Sequence, residues 1–247
     1  MSGHSHYATI KRQKESKDAA RGNLFSKLAR AITIATKAGG GPDPDSNFKL
    51  RVVMDAARAA NMPKENIERA ISKALGPESL EEVVYEGYGP FGVAVVVEAA
   101  TDNRNRTGQE IKNIFERGGG SLAGPGAVSF NFEQKGLLLI DKGSDPQTQM
   151  LSLIDMGVED VEETTDAIEV YVAPEKLAET RQKLIDTGLN VTSAELYLKP
   201  KNLQTITDPK EASRALSFLE SLDEQEDVQK VHANVDIPDA VVAQANV

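Results

Sequence analysis

The apolar positions of this 247-residue chain change pattern twice. Within residues 23–38, Leu24, Leu28, Ala31, Ile32 and Ala35 recur at i, i+3/i+4 and i+7, the stripe of an amphipathic helix. Gly39-Gly40-Gly41-Pro42 stops it. A second helix is predicted over 47–60, burying Leu50, Val53, Met54 and Ala57 and turning Arg51 and Arg58 outward. Pro63 fits the first turn of a third, with Ile67, Ala70, Ile71, Ala74 and Leu75 on its buried side and Gly76-Pro77 ending it. Residues 1–22 are polar and weakly periodic. They read as an extended arm that orders on a partner.

From residue 80 the pattern turns to β-rich runs. Val83-Val84-Tyr85 and residues 93–97 are joined by the turn-dense Gly87-Tyr88-Gly89-Pro90-Phe91-Gly92. Thr107-Gly108-Gln109-Glu110 reads as a capping box opening a helix that buries Ile111, Ile114 and Phe115. Gly118-Gly119-Gly120 closes it, and 127–132 reads as another strand. After Gly136 the third pattern begins. Strands near 137–140, 158–162, 168–172 and 193–198 interleave with helices over 146–156 and 174–187, the β-α-β-β-α-β order of a ferredoxin-like unit.

A helix over 210–222 and a strand over 228–235 follow. As a free hairpin they would leave Leu216, Phe218, Leu219 and Leu222 uncovered, so they are expected to return to the sheet begun at residue 80. The expected fold is α+β: an N-terminal three-helix domain followed by two α/β (ferredoxin-like) domains, the last inserted into the middle one. The boundaries are 1–76, then 80–133 plus 205–240, then 134–200.

Charge changes the picture only when it is divided. The formal net of −10 alone argues against a nucleic-acid partner. Residues 1–75, however, carry 14 Lys/Arg and 7 Asp/Glu, a net of +7, and residues 76–247 carry 14 and 31, a net of −17. Lys11, Arg12, Lys14, Lys17, Arg21, Lys27 and Arg30 face only Glu15 and Asp18 within the first 30 residues. Lys27, Arg30 and Lys37 fall opposite the apolar stripe of their helix. A basic head on an acidic body suggests a polyanion-facing end. The bland alternative is that the head docks on its own body's acids.

Composition removes several chemistries. With no Cys, a thiol nucleophile, a disulfide framework and a Cys-based metal site are excluded. The longest apolar run is too short for a membrane span, and the first residues lack the apolar stretch of a signal peptide. A cytoplasmic, non-membrane protein is expected. The three histidines are His4, His6 and His232; an arm offers His4 and His6 no rigid shell for a metal. Glu159-Asp160-Val161-Glu162-Glu163 reads as a solvated strand edge, and no glycine-rich stretch has phosphate-loop spacing.

Thr101-Asp102-Asn103-Arg104-Asn105-Arg106-Thr107 leaves two readings open. Arg104 and Arg106 before a helix N-terminus could grip phosphate, or they pair with nearby acids while Asp102 shapes the turn. The arm and first helix fit sequence-blind, salt-dependent binding, but base reading needs a recognition helix or stacking rings. Helix 63–75 offers Lys64, Arg69 and Lys73 against Glu65 and Glu68, an unconvincing reader.

Several of these strings resemble one family. Gly3-His4-Ser5, the basic arm to Arg21-Gly22, Lys37-Ala38-Gly39-Gly40, Asp43-Pro44 with Asn47, Leu50-Arg51 and Asn61-Met62-Pro63 are similar to the N-terminal domain of the YebC family. Tyr85-Glu86-Gly87-Tyr88-Gly89-Pro90 and the 101–107 loop resemble that family's most distinctive strings. The resemblance spans essentially the whole chain. It implies a helical domain and two α/β domains. It implies either a DNA-binding transcriptional regulator or, as in a related mitochondrial translational activator of a cytochrome oxidase subunit, a ribosome-linked role on proline-rich stretches. Where the family usually has Ser-Lys-Trp, this chain has Ser5-His6-Tyr7, losing a fixed cation and the largest stacking ring.

The expectation is a non-enzymatic, cofactor-free, metal-free monomer that regulates gene expression. Lys11, Arg12, Lys14, Arg21, Lys27, Arg30 and Lys37 would contact phosphate, with Arg104 and Arg106 as a second grip. The partner would be duplex DNA, or ribosomal RNA on the ribosome, and the acidic domains could dock a protein.

Overall fold

A computed structural model describes residues 4–14, 21–76 and 80–245, with side chains at 7, 9–11, 24–76 and 80–245. The chain opens with β1 (His4–His6) and α1 (Tyr7–Lys14). The extended arm expected over 1–22 is therefore corrected at residues 4–14; residues 1–3 and 15–20 lie outside the described residues. Tyr7 and Ile10, one turn apart, are buried in the body's core, and Thr9 donates its hydroxyl to the buried Glu169 at 3.2 Å. Two apolar positions suffice to hold this eight-residue helix when a ready-made core receives them.

The head is α2 (Arg21–Ala38), α3 (Phe48–Ala59) and α4 (Lys64–Ala74), packed through Ile32, Leu50, Met54, Ala57 and Ile67. Asn47 fixes the turn between the first two. Its Oδ1 accepts from Leu50 N at 3.0 Å, capping α3, and its Nδ2 donates to the carbonyls of Ala35 and Gly41, both at 2.9 Å. Glycine is required at position 39 because a Cβ there would lie 1.9 Å from Asn47 Oδ1.

The body continues with β2 (Glu81–Tyr88), a 3₁₀ turn at Pro90–Gly92, β3 (Ala94–Thr101), α5 (Arg104–Gly118), β4 (Ser121–Ala123), a 3₁₀ turn at Ser129–Asn131 and β5 (Phe132–Ile140). Two expectations are corrected here. α5 starts a turn before the supposed capping box, because Asn103 Oδ1 accepts from Arg106 N at 3.1 Å, and Thr107 lies buried inside the helix. The strand expected over 127–132 is a turn leading into β5. The buried carboxylate of Glu86 takes the N–H groups of Gly126, Val128 and Ser129 at 2.8, 2.8 and 2.9 Å, so they are unavailable to a ladder.

Next come α6 (Pro146–Asp155), β6 (Asp160–Glu163), β7 (Ile168–Val172), α7 (Leu177–Asp186) and β8 (Val191–Pro200). These form an antiparallel sheet ordered β6-β7-β5-β8 with Leu138, Ile140, Leu153, Val170 and Leu184 as core, the ferredoxin-like arrangement. The chain ends with β9 (Gln204–Thr205), α8 (Pro209–Asp223), β10 (Val228–Ala233), β11 (Val235–Pro238) and α9 (Asp239–Val242).

β10 pairs with β3 in a second sheet ordered β10-β3-β2-β4, while α8 lies against α5 with Phe115 and Phe218 edge to face at 5.1 Å. The single strand expected over 228–235 is corrected: it divides at Asn234. That side chain accepts from Ala94 N at 2.8 Å and donates to Asn202 O at 3.0 Å, ending one ladder. β11 then joins β1 and β9 in a third sheet. The architecture is α+β, N-terminal helices followed by antiparallel sheets.

Candidate nucleic-acid interface

Helix α2 has two partners. Its apolar side packs on α3 and α4, and its cationic side faces the acidic C-terminal corner of the body. Lys11 and Lys27 reach Asp223 Oδ1 at 2.9 and 3.1 Å, and Lys27 also donates to the Asp223 carbonyl. Asp223 is the last residue of α8, where the helix dipole favours cations. Arg30 donates to Asp227 Oδ1 and to the Ala100 carbonyl, the latter at 3.1 Å. Three of the residues expected to contact phosphate thus face this chain's own acid groups.

Asp227 is the hub of that corner. It is 2% exposed in its side chain, and Arg106 Nη2 lies 2.9 Å from its Oδ2. The Thr107 hydroxyl donates to the same oxygen at 2.5 Å, with Thr101 Oγ1 at 3.3 Å. Burial works against the charge, yet the hydrogen bonds from Thr107, Arg106 and Arg30 outweigh it and hold the carboxyl down at about 2. Arg106 also pairs with Asp102 at 3.0 Å, and the 65%-exposed Arg104 stands 3.5 Å from Glu81. The 101–107 segment is therefore built around carboxylates, with its backbone turned by Asn103.

Lys37 is exposed in the last turn of α2. The side chains of Arg12, Lys14 and Arg21 lie outside the described residues, as do those of His4 and His6.

A different set of cations faces solvent. Lys49, Arg51 and Arg58 on α3 and Lys64, Arg69 and Lys73 on α4 are all exposed. Over residues 48–76 these six stand against Asp55, Glu65 and Glu68, a net of 6 − 3 = +3. Arg58 pairs with Asp55 at 3.0 Å and Lys64 with Glu68 at 3.5 Å, both in the open, where such pairs are worth little. Arg69 and Lys73 also line a cleft of about 380 Å³ between the head and the Asp102 and Asp227 corner. Helical periodicity does put these residues outward. Nothing in the sequence ranked them above the denser cluster in the first 30 positions.

Elsewhere the side chains read as structure. His232 is 3% exposed, 3.2 Å from Glu98 through Nε2, with its ring tilted against that of Tyr197 at 5.5 Å. Lys135, Lys142 and Lys199 pair with Glu159, Glu163, Asp160 and Glu162 along β6. Among the described residues no group of His, Asp and Glu is arranged to hold a metal. No described helix is long and apolar enough to cross a membrane.

Known proteins match this arrangement from end to end. The family model "TACO1/YebC protein N-terminal domain" matches residues 5–77, and "TACO1/YebC second and third domain" matches residues 80–235. The chain belongs to the TACO1/YebC family. A relative in Chloroflexus aurantiacus, named "Probable transcriptional regulatory protein", is 49% identical over 249 residues, covering 98% of each chain. One of the same name in Moorella thermoacetica is 43% identical over 253 residues and covers all of both. Among solved structures, a conserved hypothetical protein from Aquifex aeolicus superposes with a TM-score of 0.87 at 44% identity, over 95% of this chain and 98% of that one. The relatives' names place this chain among regulatory proteins.

Proposed function

We propose that this TACO1/YebC protein is a non-enzymatic, cytoplasmic regulator of gene expression that binds nucleic acid through its helical head, with duplex DNA as the partner. The observation that carries the reading is the solvent face of α3 and α4, where Lys49, Arg51 and Arg69 stand exposed and pair with no carboxylate among the described residues. Lys37, Arg58, Lys64 and Lys73 extend it. Lys11, Lys27 and Arg30 reach phosphate only by leaving Asp223 and Asp227, so they act second. Arg106 is held in the same way by Asp227, whereas Arg104 meets only the exposed Glu81.

Salt dependence tests this. Seven exposed head cations, each releasing about 0.9 counterion on B-DNA, bound the slope of log K against log salt at about −6. Replacing Lys49, Arg51 and Arg69 with Glu should weaken binding of a labelled duplex at least 100-fold and cut the slope by about 3. Unchanged affinity removes the face from the mechanism.

A second reading, a translation factor on ribosomal RNA, is favoured by the Phe130 ring, 64% exposed in an ordered turn, since unpaired bases stack on such rings. Co-sedimentation with ribosomes at near-physiological salt, lost on Phe130→Ala, would move the partner from DNA to RNA.

A further inference from the structure

The body is strongly acidic, yet one groove on it holds no carboxylate. It lies between α5 and α8, encloses about 400 Å³, and is lined by Arg117, Arg214, Ser213, Ser217 and Ser221 over a floor of Ile114, Gly118 and Phe218. Neither Arg117 nor Arg214 has an ion pair with any described residue, whereas Lys112, Lys135 and Lys230 each pair with a carboxylate. The hydroxyls of Ser213 and Ser217 have no protein partner among the described residues, while Ser221 donates back to the Ser217 carbonyl at 2.8 Å. Two guanidinium forks and two unused hydroxyls converge on one surface. Donors of this kind match the tetrahedral oxygens of a phosphate.

The groove is also built stiffly. Phe91 adopts a left-handed backbone at φ 61°, a conformation that bulky residues rarely accept. Its ring lies 5.3 Å from the Arg214 guanidinium, a cation–π contact that restricts where that exposed side chain ranges. Length identifies the ligand further. From Ser213 to Ser221 helix α8 rises roughly 12 Å at about 1.5 Å per residue, the span of three to four stacked nucleotides at about 3.4 Å each. Arg117 also lines the adjoining groove beyond Ser221, which contains Glu110 and Glu224, so the anion seat ends at that arginine.

We infer that the α5–α8 groove is a second seat for a nucleic-acid strand, holding consecutive phosphodiesters with Arg117, Arg214, Ser213 and Ser217. It rests on the nucleic-acid role proposed above and extends that role from the head to the acidic body.

The test uses the full chain and a labelled 12-nucleotide single-stranded RNA of mixed sequence, followed by fluorescence anisotropy across salt. Arg117→Ala with Arg214→Ala should weaken binding about tenfold and reduce the salt slope by about 1.4, two contacts at about 0.7 each. Arg117→Lys with Arg214→Lys should restore most of the slope, and Ser213→Ala with Ser217→Ala should lose affinity with the slope unchanged. All four side chains are exposed or half-exposed, and an unaltered melting curve checks folding.

Unchanged affinity in the arginine variant, with binding lost when Lys49, Arg51 and Arg69 are reversed, overturns the groove and leaves the head reading intact. Failure of the unaltered protein to bind the RNA at any salt overturns the groove, while the head reading is decided separately by the duplex assay above. Inorganic phosphate is the remaining arm. If ³¹P line broadening by the protein disappears in the arginine variant while RNA affinity does not change, the seat belongs to a small phosphate and the strand assignment fails.

Discussion

Replacing Asp227 with Asn tests whether the head is locked to the body by charge. The native carboxylate is 2% exposed and surrounded by Arg30, Arg106, Thr107 and Thr101. Its carboxyl sits at about 2 against an ordinary 3.8, and at about 1.4 kcal/mol per pH unit that difference is worth about 2 kcal/mol. Because the folded value is the lower one, the contribution is complete above pH 3.8 and is lost as pH falls through 2.

Asn removes this charge and also turns an amide N–H₂ toward donors, leaving Arg30 partly buried without its anion. Breaking a buried pair in this way costs about 3–5 kcal/mol. Urea unfolding followed by circular dichroism should show that loss at pH 7 and a gap from the unaltered protein narrowed by about 2 kcal/mol near pH 2. A loss under about 0.5 kcal/mol, or a gap equal at both pH values, would refute the account of Asp227 as an electrostatic lock.

Three further outcomes follow from the same contacts. Asp223→Ala should remove the carboxylate that Lys11 and Lys27 share, although Lys27 keeps the carbonyl of residue 223, raising affinity for a duplex several-fold at 50 mM salt and steepening its salt slope by about 1–2, measured by anisotropy. Asn47→Ala removes a cap and orphans the Ala35 and Gly41 carbonyls, so the head should lose about 2–3 kcal/mol in thermal or urea melts. Glu86→Ala should speed amide exchange across residues 124–131. Burial opposes the Glu86 charge, but the N–H groups of Gly126, Val128 and Ser129 overcome this and hold its carboxyl below the ordinary glutamate range, so the same loop should loosen in the unaltered protein on acidification below that range.

The sequence was most readable where local pattern and final packing agree. The stripes around Ile32, Leu50 and Ile67 are those of the head's core, and the β-α-β-β-α-β order appears in the third domain with its helices in place. Apart from the start of α5, which the local cap Asn103 sets, the misreadings share a cause: a side chain from far along the chain decides local structure. Glu86 turns residues 126–129 away from a ladder. Asn234 ends one strand and starts another, and Glu169 helps to seat α1 across a separation of 160 residues. Thr107 looks like a helix cap because its sequence context is that of one, yet its hydroxyl serves Asp227. No window of the sequence contains both partners of any of these contacts.

Charge shows the same limit in a form that matters for function. A segment with a net of +7 joined to one of −17 has two ways to neutralise itself, on a foreign polyanion or on its own acids, and counting cannot tell them apart. The fold divides the labour by depth. Cations near the head–body seam, Lys11, Lys27 and Arg30, meet Asp223 and Asp227, where low exposure strengthens each pair. Lys49, Arg51 and Arg69 are exposed, although Arg69 borders the cleft toward Asp102 and Asp227 and Lys49 a groove that includes Glu82, Glu98 and Glu195; in water a local acid holds a cation only weakly, and a phosphate backbone with many charges competes well. On the reading proposed above, the seam acids engage Lys11, Lys27 and Arg30, which leaves the exposed cations of α3 and α4 as the head's first contacts for a polyanion.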